Sequence, residues 1–233
     1  SCLGQNRPDA AAEAFDRAVE LNPGLVASWK SLVNLQTRAG NHDRARFAQV
    51  QLDYLEGLPP ELRGVIDLVH EGSLLQADQL CRQFLKQHRH HIEGMRLLAD
   101  IGIRLRVYDD AEFLLESCVE LAPDHQRARG DYVKILNRKG KFAKAYEQAR
   151  LLDEQQPGNP AWQLGMASAL MGLGEVNEAI ALYEDNLGRT ANKPGVYVML
   201  GHARKARGDL DKAIRAYKEA CSARADYGDA WWS

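Results

Sequence analysis

The amino-acid sequence predicts an all-α solenoid built from antiparallel helix pairs. Three observations predict it. Alanine recurs at Ala11, Ala45, Ala77, Ala111, Ala145, Ala179 and Ala213, with spacings of 34, 32, 34, 34, 34 and 34 residues. Glycine stands five residues before the alanine at Gly40, Gly72, Gly140, Gly174 and Gly208, and Arg106 takes that place once. Proline stands twelve residues after it at Pro23, Pro123 and Pro157. Glycine before and proline after bracket one helix per period, and the remaining residues carry a second apolar stripe at helical spacing. Self-similarity at a period in this range marks stacked helical repeats rather than one globular core.

The clearest period is 194–227. Helices are expected at about Gly195–Arg207 and Leu210–Ala223, with Gly208-Asp209 as turn and N-cap between them. Tyr197, Leu200 and Gly201 share one face of the first helix; Ala213, Tyr217 and Ala220 share one face of the second. Gly201 and Ala213 let the two backbones approach, and the two tyrosine rings fill the flanking space. The 34-residue length and this order of large, small and aromatic residues resemble the tetratricopeptide repeat (TPR) family. The resemblance covers nearly the whole chain. It implies a right-handed TPR superhelix whose first helices line a concave, protein-binding groove.

In chain order, residues 1–25 hold the end of a turn and one second-type helix, AAAEAFDRAVELNP. Six units follow: 26–57, 58–91, 92–125, 126–159, 160–193 and 194–227. Residues 228–233, GDAWWS, open a further first-type helix with Trp231 at the aromatic position. Both ends fall inside a repeat, so a piece of a longer protein is expected. Unit 58–91 departs from the pattern. It follows the 32-residue spacing, starts on Pro59-Pro60 and has Gly64 where leucine is expected. Its first helix should start late and pack at a changed angle, and Ser73 with Gln76 should form a capping box. A hinge near Leu55–Glu61 and a two-residue shortening of the preceding helix both account for the spacing, and the shortening is favoured. Asn186 stands where a small buried residue is expected, either facing a carbonyl one turn away or ending its helix near Gly188.

Composition narrows the function. Charged residues are 27% of the chain and the net charge is −2, which gives no drive towards nucleic acid or an anionic membrane. No apolar run is long enough to span a bilayer, and the start of the chain lacks a signal-peptide layout. Cys2, Cys81, Cys118 and Cys221 form no CxxC, and three of them fall at buried second-helix positions. Reduced core cysteines and a cytoplasmic location follow. His88, His90 and His91, with Glu93 nearby, have no further ligands to close a tetrahedral set and read as a surface turn. Trp29, Trp162, Trp231 and Tyr197 recur at or next to the same helical phase and read as core. No phosphate loop, GxGxxG, HExxH or nucleophile elbow occurs, so no cofactor and no catalysis are expected.

The TPR resemblance also implies site residues. Positions two, five, nine, twelve and thirteen of each first helix point into the family's groove. In 92–125 these are Glu93, Arg96, Asp100, Ile103 and Arg104; in 126–159 they are Arg127, Gly130, Lys134, Asn137 and Arg138. The acids assigned to the same positions are Glu93 and Asp100. A basic concavity suited to an acidic or carboxylate-bearing segment is expected, against the alternative of a solvated, locally paired face. Lys30 and Asn34 match the start of the carboxylate clamp of chaperone-binding TPR proteins. Gly64, Glu93 and Leu97 fail to complete it.

A narrower likeness lies in LPPELRGVIDLVHEGSLLQADQLCRQFLKQH, HIEGMRLLADIGIRLRVYDDAEFLLESCVELAPD and YGDAWWS. These segments resemble the N-terminal array of bacterial TPR–sulfotransferase proteins. That implies a binding arm for a C-terminal domain that uses the sulfate donor 3′-phosphoadenylyl sulfate, whose phosphate loop this chain lacks. A stand-alone, co-chaperone-like adaptor and the arm of another transferase, such as a glycosyltransferase, remain the alternatives.

Overall fold

The computed structural model describes residues 8–190 and 192–223. Among the described residues there are thirteen α-helices and no strand, an all-α TPR solenoid. The first-type helices are α2 (Val26–Arg38), α4 (Pro60–His70), α6 (Ile92–Arg104), α8 (Gln126–Arg138), α10 (Pro160–Leu173) and α12 (Lys193–Arg207). The second-type helices are α1 (Pro8–Leu21), α3 (His42–Glu56), α5 (Leu74–Gln87), α7 (Tyr108–Leu121), α9 (Phe142–Gln155), α11 (Val176–Asn186) and α13 (Leu210–Ala223). Cys2 and the GDAWWS segment with Trp231 lie outside the described residues.

The chain forms two compact units, Ser1–Leu105 and Arg106–Ser233. In the first, α1 packs on α2, α2 on α3, α4 on α5 and α5 on α6, while α4 also touches α6. In the second, every helix from α7 to α13 packs on the next, and α8, α10 and α12 touch in series. First-type helices therefore touch one another within each unit, α4 with α6 in the first and α8, α10 and α12 in the second.

Five of the six first helices end where the glycine pattern stops them, and α6 ends just before Arg106, which takes the same left-handed place. Gly40, Gly72, Gly140, Gly174 and Gly208 have φ of 74°, 79°, 71°, 87° and 90°, the left-handed region that glycine enters without a Cβ clash. At Gly140 the glycine N–H donates to Asn137 O (3.1 Å) and Lys141 N–H donates to Leu136 O (2.9 Å). This paired ending recurs at the other four glycines and satisfies the last carbonyls of the helix. The return turns are just as regular. His91, His125 and Asn159 donate their N–H groups to His88, Ala122 and Gln156 carbonyls. Pro123 and Pro157 occupy the second place of that turn, where their fixed φ fits.

The alanine register is the inner seam. Ala77, Ala111, Ala145 and Ala179 are 0% exposed, and Ala11 and Ala213 are 2%. Close backbone approach accompanies it. A Cβ on Gly201 would collide with the Tyr217 ring, and one on Gly130 would lie 2.7 Å from Trp162 Cζ3. The rings thus occupy space that small residues leave open.

Three local expectations need correction, and a fourth, at Asn186, holds in both its forms. α3 is not shortened: it has 15 residues, whereas α4 has 11 against 13 in α6 and α8. The missing length comes chiefly out of α4, whose start is set by Pro59-Pro60 after α3 has run on to Glu56. Ser73 is the N-cap residue of α5 but its side chain makes no cap hydrogen bond. Cys81 and Cys118 are buried, whereas Cys221 is only half-buried. Asn186 is 0% exposed and both ends its helix and faces a carbonyl, donating to Leu182 O at 2.7 Å and to Gln163 Oε1 at 3.1 Å.

Candidate functional site

The candidate site residues sit on the first-type helices, and capping sets where those helices begin. His91 Nδ1 accepts from Gly94 N–H at the start of α6, and His125 Nδ1 accepts from Ala128 N–H at the start of α8 (3.2 Å each). Asn159 and Asn192 do the same work for α10 and α12 with amide oxygens. These histidines thus satisfy one of the free N–H groups at each helix start. His88 stacks on Phe84 with centroids 4.5 Å apart. Among the described residues no three His, Cys, Asp or Glu side chains gather to hold a metal ion.

In the first unit, Lys30 pairs with Glu56 at 2.7 Å, and Asn34 donates to the carbonyl of Lys30 on its own helix. Arg96 is locked in place. Its Nε donates to Glu93 Oε2 at 2.8 Å and its Nη2 to the Tyr54 hydroxyl at 2.7 Å, while Tyr54 donates to the same carboxylate at 2.7 Å. The Arg96 and Glu93 side chains are only 13% and 12% exposed. Burial pushes the Tyr54 hydroxyl up to about 12, with Arg96 pulling against Glu93. Asp100 and Arg104 form a looser pair one turn apart, 3.0 Å long and 39% and 45% exposed. His70 nearby has its pKa lowered, first by burial and then by the Arg104 charge.

In the second unit, Lys134 reaches Asp131 at 2.9 Å with 75% of its side chain exposed. Asp131 is an acid the groove count had not included, and its spacing of three from Lys134 on one helix was the available signal. Asn137 donates to Gly165 O at 3.1 Å, tying α8 to α10, and its Oδ1 is buried with no hydrogen-bond partner. Arg127 is half-buried on the first turn of α8. Arg138 is exposed, lies 5.6 Å from the centroid of the Tyr108 ring and donates to the Tyr108 hydroxyl at 3.3 Å. Among the described residues no carboxylate lies within ion-pair distance of it.

Two further groups were not singled out from the sequence. Arg129 is 6% exposed and donates to the Pro123 carbonyl (2.7 Å) and to Gln148, with no carboxylate among these partners. Burial lowers its pKa, opposed by Asp124. Glu112 on α7, 7% exposed, receives Lys139 and Lys141 from the α8–α9 turn, and Lys139 also reaches Asp109. Burial alone would raise the Glu112 pKa, but the two ammonium groups outweigh it and the net shift is downward. Residues thirty apart in sequence meet here only because α7 and α8 are antiparallel.

What the first-helix faces offer is therefore selective pairing. Arg96 is spent on internal structure. Arg104 and Lys134 pair with half-buried carboxylates of their own helices, and Arg138 holds an aromatic ring. No helix among the described residues is long and apolar enough to cross a membrane.

Comparison with known proteins agrees with this construction. Three family models, each described as tetratricopeptide repeat, match residues 3–53, 103–169 and 194–227. Mouse tetratricopeptide repeat protein 21A is 27% identical over 135 residues, 55% of this chain. The chain spans only 10% of that relative's length. Among solved structures, a tetratricopeptide repeat protein from Parabacteroides merdae aligns with 99% of this chain and 92% of its own. The TM-score is 0.61 at 19% identity. A thermophilic TPR protein of Thermus thermophilus aligns with 74% of this chain and 94% of its own, with TM-score 0.62 and 20% identity. These structures share the fold. The chain is accordingly a tetratricopeptide repeat protein.

Proposed function

We propose that the chain is a non-catalytic protein-interaction scaffold whose first-helix faces hold a peptide or partner domain, with a preference for acidic segments. Arg138 carries the acidic preference. Its guanidinium is exposed, kept extended by the Tyr108 ring and left without a carboxylate. A cation so placed meets an incoming carboxylate without first breaking an ion pair. Lys134, four residues away on α8, holds Asp131 through an exposed pair of the kind that contributes only about 0.3–0.5 kcal/mol. An acidic ligand exchanges for that partner at little cost. The test is binding of an acidic peptide to the parent and to a Lys134→Glu, Arg138→Glu variant at low salt. The variant should lose affinity by about tenfold or more, and equal affinities with intact helicity would remove this face from the function.

The narrower reading is an N-terminal arm of a sulfotransferase-like protein, whose own catalytic domain is the partner. It is supported by the likeness of residues 58–88, 91–124 and 227–233 to such arrays. A stand-alone adaptor and the arm of a glycosyltransferase are the alternatives, and the coding sequence after Ser233 separates them. A cytoplasmic setting belongs to the same proposal. The buried Cys81 thiol, bonded to Gly94 O at 3.2 Å and pushed up to about 12 by burial, suits a reduced structural role.

A further inference from the structure

A cleft of about 420 Å³ lies between α5 and α6, lined by Arg82, Leu85 and Lys86 from α5, Arg89 from the turn that follows it and Leu98 from α6. None of these is at a groove position of a first helix, so the cleft is separate from the face discussed above. Its floor is apolar, with Leu98 buried and Leu85 half-buried, and its rim is three cations. Arg82 holds Asp78 at 2.8 Å. Among the described residues neither Lys86 nor Arg89 has an ion-pair partner.

The repeat register shows how unusual this rim is. Counted from the seam alanine, Arg82 and Lys86 correspond to Glu116 and Glu120 on α7 and to Arg150 and Glu154 on α9. On α9 the cation is answered one turn later, by the Arg150–Glu154 ion pair. On α5 the answering acid is replaced by a second cation, and Arg89 in the following turn adds a third. Like charges at this spacing oppose the helix that carries them. Nothing in the packing of α5 uses them, because the seam contacts of this helix come from Ala77, Cys81 and Phe84.

We propose that this cleft is a second docking site and that its occupant is an acidic amphipathic helix. An apolar side chain of the partner enters between Leu85 and Leu98, and carboxylates on the flanking turns meet Arg82, Lys86 and Arg89. The helical register favours a helix: Arg82 and Lys86 stand one turn apart on α5, a rise of about 6 Å, which matches carboxylates one turn apart on a partner helix laid alongside. The lining contains no aromatic side chain to stack a base, and the leucine floor has no use for an inorganic anion or a polyphosphate. The chain as a whole is slightly acidic, so the attraction is local to this cleft.

The experiment uses fluorescence anisotropy on the whole chain. The probe is a labelled synthetic helix of about 16 residues with leucines on one face and glutamates one turn apart, alongside its glutamine counterpart. The parent should bind the glutamate helix about tenfold or more tighter than the glutamine helix, with affinity falling as salt rises. A Lys86→Gln, Arg89→Gln variant, with circular dichroism unchanged, should lose that margin. The Lys134→Glu, Arg138→Glu variant should keep it, because those residues belong to the other face. Equal affinity for the two helices would overturn the proposal. So would full binding by the Lys86→Gln, Arg89→Gln variant, or loss of binding only in the Lys134→Glu, Arg138→Glu variant.

Discussion

Arg106 stands at φ 63°, the only non-glycine residue in the left-handed region among those described, at a place where five other repeats have glycine. An L-residue with a Cβ is disfavoured there by about 1–2 kcal/mol, partly offset by the greater chain entropy of unfolded glycine. Arg106→Gly is therefore expected to stabilise the chain by about 0.5–1 kcal/mol, read as a higher urea midpoint at unchanged slope. Glu112 acts through charge instead. Its folded pKa lies below the ordinary 4.5, because Lys139 and Lys141 outweigh the burial that opposes ionisation. Its contribution is present in full above about pH 4.5 and is lost as pH falls through the lower, folded value. Glu112→Gln should flatten the stability–pH curve on that acid limb, and an unchanged acid limb would show that the two lysines do not stabilise the carboxylate. Neither position could be ranked this way from sequence. The Arg106 substitution was visible as a broken pattern, but the Lys139–Glu112–Lys141 cluster joins residues 27 and 29 apart.

Two glycines at superficially similar helical sites have opposite expected responses, and only packing separates them. Gly64 on α4 has room: an added Cβ would meet only Leu80 Cδ2, at 3.5 Å. Gly64→Ala should gain about 0.8–1 kcal/mol from helix propensity alone. Gly130 on α8 has none, since its Cβ would lie 2.7 Å from the Trp162 ring of α10. Gly130→Ala should cost about 1–3 kcal/mol through overpacking. Thermal melts of the two variants check both signs, and a destabilised Gly64→Ala would mean that α4 needs its glycine for some reason other than space. The 32-residue spacing is settled at this scale too. Pro59-Pro60 restricts where a helix can start, and the cost falls on the helix that follows, α4.

At the scale of the molecule, stability in a solenoid is a sum of repeat and nearest-neighbour terms. Ala179 is 0% exposed in a cluster with Ala167, Leu170, Tyr183, Val196 and Leu200, from α10, α11 and α12. Ala179→Leu should overpack that cluster by about 1–3 kcal/mol. Hydrogen exchange should then speed up most in α10–α12 while α2 and α3 keep their protection. A uniform loss of protection over all thirteen helices would show one cooperative core instead. The two proposed docking faces follow the same locality, since each is made by neighbouring helices.

The sequence by itself determined the repeat, the helix pairing, the seam alanines and the glycine turns. Each of these is set by contacts within one period, where sequence distance and spatial distance agree. It also determined which cations lie on the first helices. Only the tertiary structure decided what those cations do. Tyr54, 42 residues from Arg96, turns a groove candidate into an internal brace, while Tyr108, 30 residues from Arg138, holds its candidate outward without neutralising it. Tyr54 and Tyr108 carry no mark in the repeat that reveals their partners. Whether an arginine is spent or available depends on the acceptor that packing brings within about 3 Å, and residue spacing along one helix does not specify it.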